Sequence, residues 1–459
     1  MQIRLPQQVT DIITALEKAG YEAYAVGGCV RDSLLGREPD DWDITTNAEP
    51  QEVKRLFRRT IDTGIRHGTV TVMMGKTGYE VTTYRVDGEY EDGRHPKSVA
   101  FTGSLREDLC RRDFTINAMA YNPRDGLIDC FDGVQDLKNR RIRCVGDAEA
   151  RFTEDALRMM RAVRFSAQLS FSIEEATFQA IGTLARNLEK VSAERIQTEF
   201  VKLVCSPNPD ALRLLYETGL SAVFFPEFDE CMRTEQNHPH HCYPVGEHIL
   251  HGMKAVRADR VLRLAMCFHD IGKPYTKQAD ENGIDHFHCH AVIGEDLTKK
   301  IMRRLKFDTD TITKVAVFVR NHDLPIEENK RALRRAMAEV GTEFFPGLLE
   351  IKEADVAAQS DYKREEKLAH LARLREIYAG VIRDGDCVRL KDLAVTGRDL
   401  MELGIPAGPK LGALLKELLA LVIEEPSRNT REVLLEEAAR RREKGESPQS
   451  DAEEQKEGP

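Results

Sequence analysis

The chain has 459 residues, 41% of them hydrophobic, and carries 67 basic against 77 acidic side chains, a formal net charge of −10. This length predicts roughly three domains, and the acidic balance excludes a general polyanion-binding protein while leaving room for nucleic acid on a local basic surface. No run approaches the roughly 20 apolar residues of a membrane span, so we expect no membrane partner. Ten cysteines are scattered without a CxxC pair, which predicts a reduced, cytoplasmic location.

The pattern of residue types divides the chain into five segments. Residues 1–140 mix strand and helix patterns, residues 141–225 are helical, and residues 226–385 are helical and rich in histidine. Residues 386–444 form small helices around GIPAGPKLG, and residues 445–459 are polar and acidic, which predicts a disordered tail. The predicted fold class is α+β, with a small mixed α/β N-terminal domain followed by all-helical segments.

Individual elements are predicted from periodicity and from capping residues. AYAVGG, WDITT, TVTVMMGK and YEVTTYRV are rich in β-branched residues and predict strands. Helices are predicted over residues 7–18, after Gly28, and over residues 50–57. TEDALRMMRAVRFSAQL and SAERIQTEFVKLV each begin with a Thr or Ser that predicts a helix N-cap.

A first candidate site follows the first strand, where Gly27 and Gly28 precede Asp41 and Asp43. Two carboxylates at i and i+2 of a strand face the same side and are close enough to share a divalent metal. Glycines at a strand-to-helix turn expose backbone N–H groups to an anion such as a triphosphate. With Glu80 of YEVTTYR as a third carboxylate, the pattern predicts nucleotidyl transfer assisted by Mg²⁺.

Three further stretches supply residues predicted to hold the nucleotide. The spacing places Asp113 and Asn117 of RRDFTINAMA on one helical face, and Asp155 and Arg158 of EDALRMMRAVRF three residues apart. A carboxylate beside a guanidinium matches the hydrogen-bonding edges of cytosine and adenine and opposes those of uracil and guanine. Alternatively, Asp113 and Asn117 belong to a capping network, and Asp155 and Arg158 form an ordinary helical ion pair, with no role in nucleotide binding. The predicted nucleotide-binding residues are Gly28, Arg31, Arg112, Asp113, Asn117, Asp155, Arg158, Arg161 and Arg164.

Taken in order, GGCVRDSLLG…DWD, RRDFTINAMA, DCFDGVQDL, EDALRMMRAVRF and SAERIQTE resemble the five motifs of bacterial class II tRNA nucleotidyltransferases, the CCA-adding enzymes. The resemblance implies that Asp41 and Asp43 bind the catalytic metal and that Asp155 and Arg158 template the incoming base. It also implies that these segments are a head, neck, body and tail with tRNA lying along them, that residues 131–133 are a hinge, and that residues 192–195 brace the neck.

The activity implied is template-independent addition of CCA, from CTP and ATP, to the 3′ end of tRNA. Residues 84–99 resemble the flexible loop of enzymes that add the terminal A, which counts against a CC-only enzyme. An enzyme that adds only the terminal A remains an alternative. Poly(A) polymerases share the head and remain a second alternative, although they usually carry a basic tail. The sequence does not indicate the oligomeric state.

A second candidate site contains the adjacent pair His269 and Asp270 in CFHDIGKP. An upstream His248 and a downstream Asp323 complete a predicted set of metal ligands, with Asp355 as the weaker alternative to Asp323. Over roughly residues 240–360 this pattern resembles the HD phosphohydrolase superfamily. The resemblance implies a divalent metal, of a kind the sequence does not identify, that activates water against a phosphoester, with His290 or Lys273 stabilising the phosphate. The predicted second activity trims phosphate ends of tRNA.

Overall fold

The computed structural model describes residues 2–88 and 99–445. The strands of its head are β1 (Ala23–Val26), β2 (Ile44–Thr46), β3 (Thr60–Gly64), β4 (Thr69–Met74), β5 (Thr77–Thr83), β6 (Arg85–Asp87), β7 (Val99–Phe101), β8 (Met119–Asn122) and β9 (Gly126–Asp129). Seven of them form one mixed sheet in the order β3-β4-β5-β2-β1-β8-β9. β2 and β5 run parallel, whereas the other neighbours in this sheet are antiparallel. The mixed sheet and the helices that follow it confirm the α+β class.

The helices of the head are α1 (Gln7–Lys18), α2 (Gly28–Leu34), α3 (Pro50–Leu56), α4 (Leu105–Cys110) and α5 (Gly133–Lys138). Helix α1 buries Val9, Ile12, Ile13 and Leu16, whose i, i+3, i+4, i+7 spacing makes one apolar stripe that covers the sheet. The predicted helices over residues 7–18 and 50–57 are confirmed, and the four predicted strand sequences form β1, β2, β4 and β5.

The neck contains α6 (Ala148–Glu154), α7 (Leu157–Leu169), α8 (Glu175–Leu184), α9 (Ala193–Val204), α10 (Leu212–Glu217) and α11 (Ser221–Phe224), and the body begins with α12 (Pro226–Arg233). The prediction of one helix beginning at Thr153 is wrong, because the chain is extended at Asp155 (φ −142°, ψ 101°) and two helices meet there. Asp147 caps α6 by accepting the N–H of Ala150, and Thr153 lies inside that helix. Ser192 occupies the predicted N-cap position of α9.

The body contains α13 (Val245–Ala255), α14 (Arg260–Phe268), α15 (His290–Arg304), α16 (Thr309–Asn321), α17 (Lys330–Val340), α18 (Phe345–Ala358) and α19 (Arg364–Asp384). Two short strand pairs interrupt the helical segments: β10 (Arg141–Ile142) pairs with β11 (Ser172–Ile173), and β12 (Lys277–Ala279) pairs with β13 (Asp285–Phe287). The prediction that residues 226–385 are all helical is therefore wrong at the β12–β13 hairpin, which brings the chain back to begin α15.

The tail contains α20 (Gly397–Glu402), α21 (Pro409–Glu424) and α22 (Arg431–Gly445). Its buried apolar residues form a cluster of their own, separate from the large core that runs through head, neck and body. Of the helices in the described ranges, none combines the length and apolar character needed to cross a bilayer. The loop predicted within residues 84–99 lies mostly outside the described residues, and the predicted acidic tail lies almost wholly outside them.

Candidate active sites

Three carboxylates lie at one edge of the head sheet. Asp41 and Asp43 lie just before β2 rather than on the predicted strand, and Glu80 is in β5. The parallel register pairs Ile44 with Val81, so Asp43 and Glu80, each one position before that pair, are neighbours. Ile44 and Val81 are fully buried on the opposite face. The strand alternation therefore exposes the carboxylates while it anchors their backbone in the core.

The electrostatic environment of Asp43 is suited to a cation. Desolvation raises the pKa of Asp43, the nearby Arg112 lowers it, and the carboxylates of Glu80 and Asp41 raise it again. A divalent metal relieves such repulsion between carboxylates and is bound by oxygen ligands of this kind. Among the described residues, however, the three carboxylates do not form a group with all ligand oxygens within 4.8 Å of one another.

A guanidinium group, that of Arg112, lies against the turn between β1 and α2 and beside this edge of the sheet. Gly27 has a φ of +82°, and a Cβ at this position would lie 2.9 Å from Nη1 of Arg112. Arg112 is held by Asp108, with Nη2 of Arg112 3.6 Å from Oδ2 of Asp108, and burial lowers the pKa of Arg112. Gly28 begins α2 directly after the turn. Gly27 is one of the two glycines of the predicted turn, and its positive φ is the conformation that favours glycine here.

The polar residues of RRDFTINAMA form a network with arginines from two other helices. Oδ1 of Asp113 accepts from Nδ2 of Asn117 at 3.1 Å, and Oδ2 accepts from Nη2 of Arg161 at 2.6 Å. Nη1 of Arg31 donates to Oδ1 of Asn117 at 2.7 Å. Burial opposes ionisation of Asp113, but Arg161 and Asn117 hold its pKa well below the usual range. The predicted helix is a 3₁₀ turn (Thr115–Asn117) followed by β8, and Asp113 and Asn117 meet by hydrogen bonding rather than by helical spacing.

Three of the predicted nucleotide-binding arginines surround one aromatic ring. The guanidinium carbons of Arg31, Arg161 and Arg164 lie 5.1, 5.4 and 3.8 Å from the ring centroid of Phe165. Glu199 of α9 is buried and forms an ion pair with Nε of Arg164, and its Oε1 lies 3.7 Å from Nη1 of Arg161. Glu199 was not predicted as a site residue, although it lies in the quoted motif SAERIQTE.

Asp155 and Arg158 do not lie on one helical face as predicted, because Asp155 is in the break between α6 and α7. The Asp155 carboxylate accepts from the backbone N–H of Leu157 at 3.1 Å and pairs with Nη2 of Arg195 at 2.7 Å. Nη1 of Arg158 pairs with Oε2 of Glu154 at 2.7 Å. Arg195 thus links the break between α6 and α7 to α9. This link is compatible with the predicted bracing of the neck by residues 192–195.

Residues 131–133, predicted to be a hinge, form a tight turn before α5. One carboxylate, that of Asp129, accepts the backbone N–H groups of Phe131, Gly133 and Val134 at 3.3, 2.8 and 2.9 Å. A Cβ on Gly133 would lie 2.4 Å from the carbonyl oxygen of Thr115. The turn therefore packs directly against the 3₁₀ turn that carries Asn117.

The second site is a buried cluster at the ends of α13, α14 and α18. Nε2 of His248 lies 3.2 Å from Nε2 of His269, 3.4 Å from Oδ2 of Asp270 and 2.8 Å from Oδ1 of Asp355. Burial opposes ionisation of Asp355, but the hydrogen bond from His248 and the charges nearby hold its pKa well below the usual range. Imidazoles and carboxylates in this arrangement are a donor set for a transition metal.

The structure favours Asp355, the weaker alternative, over Asp323 as the fourth member of this set. Asp323 is half exposed and lies 3.9 Å from Nε2 of His290, on the other side of Asp270. The chain turns at the end of α16, which carries Asp323 away from His248, whereas α18 packs along α13. Lys273, predicted to stabilise phosphate, is buried with Nζ 2.7 Å from Oδ2 of Asp270.

Sequence reasoning missed His322, which follows α16 and is buried beside Asp270. Its Nε2 lies 3.5 Å from Oδ1 of Asp270 and 3.1 Å from Nε2 of His290. A signal was present, since His322 stands next to Asp323 in the quoted sequence NHDLP. Only the fold shows that the histidine rather than the aspartate points inward.

Comparisons with known proteins identify the family. Residues 23–143 match the model "Poly A polymerase head domain", residues 170–232 match "Probable RNA and SrmB- binding site of polymerase A", and residues 276–438 match tRNA nucleotidyltransferase domain 2. A CCA-adding enzyme of Lactobacillus johnsonii is 35% identical over 427 residues, which are 90% of this chain and 92% of that protein. The chain belongs to the CCA-adding enzyme family.

Two other CCA-adding enzymes define how far the similarity extends. That of Lactobacillus helveticus is 56% identical over 211 residues, 46% of this chain and 53% of the relative. The chain thus spans about half the length of the first curated relatives it matches. The crystal structure of the Bacillus stearothermophilus CCA-adding enzyme in complex with CTP superposes with a TM-score of 0.71 at 33% identity, covering 96% of this chain and 100% of the other. Membership of the CCA-adding enzyme family, predicted from the motifs, is confirmed.

Proposed function

We propose that the chain adds CCA to the 3′ end of tRNA, with CTP and ATP as substrates. The observation that carries this proposal is the edge of the head sheet, where Asp43, just before β2, and Glu80, in β5, are neighbours beside Arg112, in a chain of the CCA-adding enzyme family. Asp41, Asp43 and Glu80 are suited to hold Mg²⁺, which when bound would activate the attacking oxygen and neutralise charge on the phosphates.

In this reaction the 3′-hydroxyl of tRNA attacks the α-phosphate of the nucleotide, and pyrophosphate leaves. Arg112, at the glycine turn, would face the triphosphate, because its guanidinium lies against Gly27 and beside Asp43. The network of Arg31, Asn117 and Asp113, which Arg161 of α7 joins, would fix the position of that turn relative to the neck. Recognition of tRNA along the neck, body and tail would rest on shape and backbone contacts.

The experiment that tests the proposal is extension of three radiolabelled tRNA transcripts, ending at the discriminator base, at C and at CC, with CTP and ATP. Growth of all three to full CCA is the expected result. Growth of the CC-ended transcript alone, by one A, would replace the proposal with an A-adding enzyme. Long A tails on any RNA would replace it with a poly(A) polymerase.

Asp155→Ala is expected to lower discrimination against UTP about tenfold to a hundredfold while tRNA binding is kept. In the unmodified chain, the hydrogen-bonding edge of uracil would face the Asp155 carboxylate without a matching donor, and each unmade hydrogen bond costs about 1–3 kcal/mol. The alanine variant removes this carboxylate and therefore this cost. Incorporation of each nucleotide on a CC-ended transcript measures the effect. Glu149→Ala, an exposed position on α6, is the matched control. Continued exclusion of UTP by Asp155→Ala would show that Asp155 does not template the base.

We propose a second activity, metal-dependent hydrolysis of phosphate ends, at the cluster of His248, His269, Asp270 and Asp355. The distances between their ligand atoms and the burial of the cluster support it. The substrate class is a 2′,3′-cyclic phosphate or a terminal phosphomonoester of RNA, and a divalent metal would activate the attacking water.

The ten cysteines are all unpaired in the structure, which supports a reducing compartment such as the cytoplasm.

Asp355→Asn is expected to weaken the binding of a divalent cation to His248 and His269 at least about tenfold, because it removes a charged oxygen ligand. Asp323→Asn, the residue first predicted from sequence, should leave that affinity unchanged. Calorimetric titration of metal-free protein with Mn²⁺ measures both, in chains that also carry Asp41→Asn and Asp43→Asn so that the head does not contribute. The reverse ranking would restore Asp323 as the ligand.

A further inference from the structure

Five aromatic rings follow one another across the surface of the body. They belong to the loop before α13, to β13 and the residue after it, and to the turn between α18 and α19: His238, His240, His286, His288 and Tyr362. The ring centroids of His286 and His288 are 5.7 Å apart at an interplanar angle of 3°, and those of His238 and His240 are 5.0 Å apart at 28°. The centroid of His238 lies 6.4 Å from that of His286, and the centroid of Tyr362 lies 4.9 Å from that of His240. The five rings therefore form one continuous ring series.

Both ends of the ring series are accessible to a ligand. Tyr362 is 49% exposed and His288 is exposed, whereas His238, His240 and His286 between them are partly buried. Burial and neighbouring positive charge lower the pKa of His238 and that of His240, which favours neutral rings at pH 7. Neutral aromatic rings stack on nucleobases, and several such rings in succession are typical of proteins that bind single-stranded nucleic acid.

Hydrogen bonds hold the segments that carry the rings. The N–H of Asn237 donates to Oδ2 of Asp285 at 2.7 Å, and the N–H of Asp285 donates to the carbonyl oxygen of Asn237 at 2.9 Å. The N–H of Ser360 donates to the carbonyl oxygen of His240 at 3.0 Å, and its hydroxyl donates to that of Pro239 at 2.6 Å. The histidine loop is thus tied to the β12–β13 hairpin on one side and to the turn before α19 on the other. Because the rings are already held in place, little conformational freedom is lost when a ligand binds to them.

The ring series reaches a cavity of about 550 Å³. His240 is in the wall of this cavity, and so is Asp355 of the second site. Ligand pockets of roughly 300–1,000 Å³ are of the size that holds a small molecule such as a nucleotide. Two lysines flank the rings here: Nζ of Lys367 lies 2.9 Å from Nδ1 of His240, and Nζ of Lys363 lies 5.7 Å from the ring centroid of Tyr362. Ammonium groups beside aromatic rings match the phosphates and bases of a nucleic-acid strand.

We propose that the ring series binds the bases at the single-stranded 3′ end of an RNA and leads its terminal phosphate into the cavity. This inference deepens the second activity proposed above and rests on it for the reaction at the phosphate, although not for the binding of RNA. Stacking tolerates every base, so the substrate class is RNA with an unpaired 3′ end rather than one sequence. A free mononucleotide would occupy the cavity without the stacking contacts and would therefore bind more weakly.

The test is photo-crosslinking of the unmodified full-length chain to a hexauridylate that ends in a 3′-phosphate and carries 4-thiouridine at its last three positions. EDTA is present so that no metal-dependent reaction consumes the probe, and the crosslinked peptides are identified by mass spectrometry. We expect crosslinks to the peptides that contain His238, His288 and Tyr362. Crosslinks confined to the head and neck would overturn the inference.

Variants then test whether the rings carry the binding, with crosslinks at residues 238–241 and 286–288 as the readout. Tyr362→Ala should raise the RNA concentration that half-saturates these crosslinks about tenfold, whereas Tyr362→Phe, which keeps the ring, should leave it unchanged. Tyr275→Ala is the matched control, because Tyr275 is 50% exposed on the body but outside the ring series. No change in Tyr362→Ala, or an equal change in Tyr275→Ala, would overturn the inference.

Hydrolysis assays distinguish this inference from the second activity. The substrates are hexauridylate and uridine, each ending in a 2′,3′-cyclic phosphate, with Mn²⁺ present. We expect kcat/KM to be at least about tenfold higher for the hexauridylate, and Tyr362→Ala should remove this preference. Equal values for the two substrates in the unmodified chain would overturn the delivery of the phosphate by the ring series. Failure to hydrolyse either substrate, with the expected crosslinks, would remove the hydrolase activity and support the ring series as an RNA-binding surface.

Discussion

Replacing Asp43 by Asn is expected to slow nucleotide addition to tRNA about a thousandfold. The substitution keeps the shape of the side chain but removes the charge that would hold Mg²⁺ beside Glu80. The loss of metal-derived stabilisation of the transition state is worth about 4 kcal/mol. The measurement is single-turnover extension of a CC-ended tRNA transcript with ATP, and Asp41→Asn should give a loss of similar size.

Asp40→Asn is the matched control, because Asp40 is exposed and adjacent in sequence to the proposed site. It should extend tRNA at the rate of the unmodified chain. Hydrolysis at the body centre should be unchanged in Asp43→Asn, since the two sites lie in different parts of the fold. If Asp43→Asn extended tRNA at the unmodified rate, the carboxylate edge of the head sheet would not be the catalytic site.

Glu199→Gln is expected to lower the free energy of unfolding by about 3 kcal/mol. Glu199 and Arg164 are both nearly fully buried and form an ion pair, and Arg161 lies close by. Removing one partner of a buried pair leaves the other charge in a medium of low polarity, which costs about 3–5 kcal/mol. Head, neck and body share one core, and for a folding unit of that size, roughly 380 residues, the expected fall in melting temperature is about 4 °C, measured by calorimetry.

Glu194→Gln tests whether this effect is specific to the buried pair. Glu194 lies on the same helix, α9, but its side chain is exposed, so the melting temperature should change by less than about 1 °C. A fall of similar size in both variants would mean that negative charge on α9, rather than the ion pair with Arg164, stabilises the neck.

The sequence predicted the head well because its elements carry strong local signals. The stripe of Val9, Ile12, Ile13 and Leu16 fixes α1, and the alternation around Val70 and Val72 fixes β4. The prediction of a single helix beginning at Thr153 failed because side-chain hydrogen bonds stabilise a break in the helix there. Asp155 ends α6, and its carboxylate accepts the backbone N–H of Leu157 at the start of α7. No periodicity reveals this break, because its partner Arg195 is 40 residues away.

The order of motifs along the chain was enough to predict the family and the α+β class, because both depend on local patterns and on residue types at short spacing. The sequence by itself also predicted Asp41, Asp43, His248, His269 and Asp270 as metal ligands. Only the tertiary structure decided which distant groups join them. Asp355 rather than Asp323 faces His248, and His322 meets His290 across Asp270, because helix packing brings together residues separated by tens of positions in the chain. Such contacts depend on how whole helices pack, which the local spacing of residues does not encode.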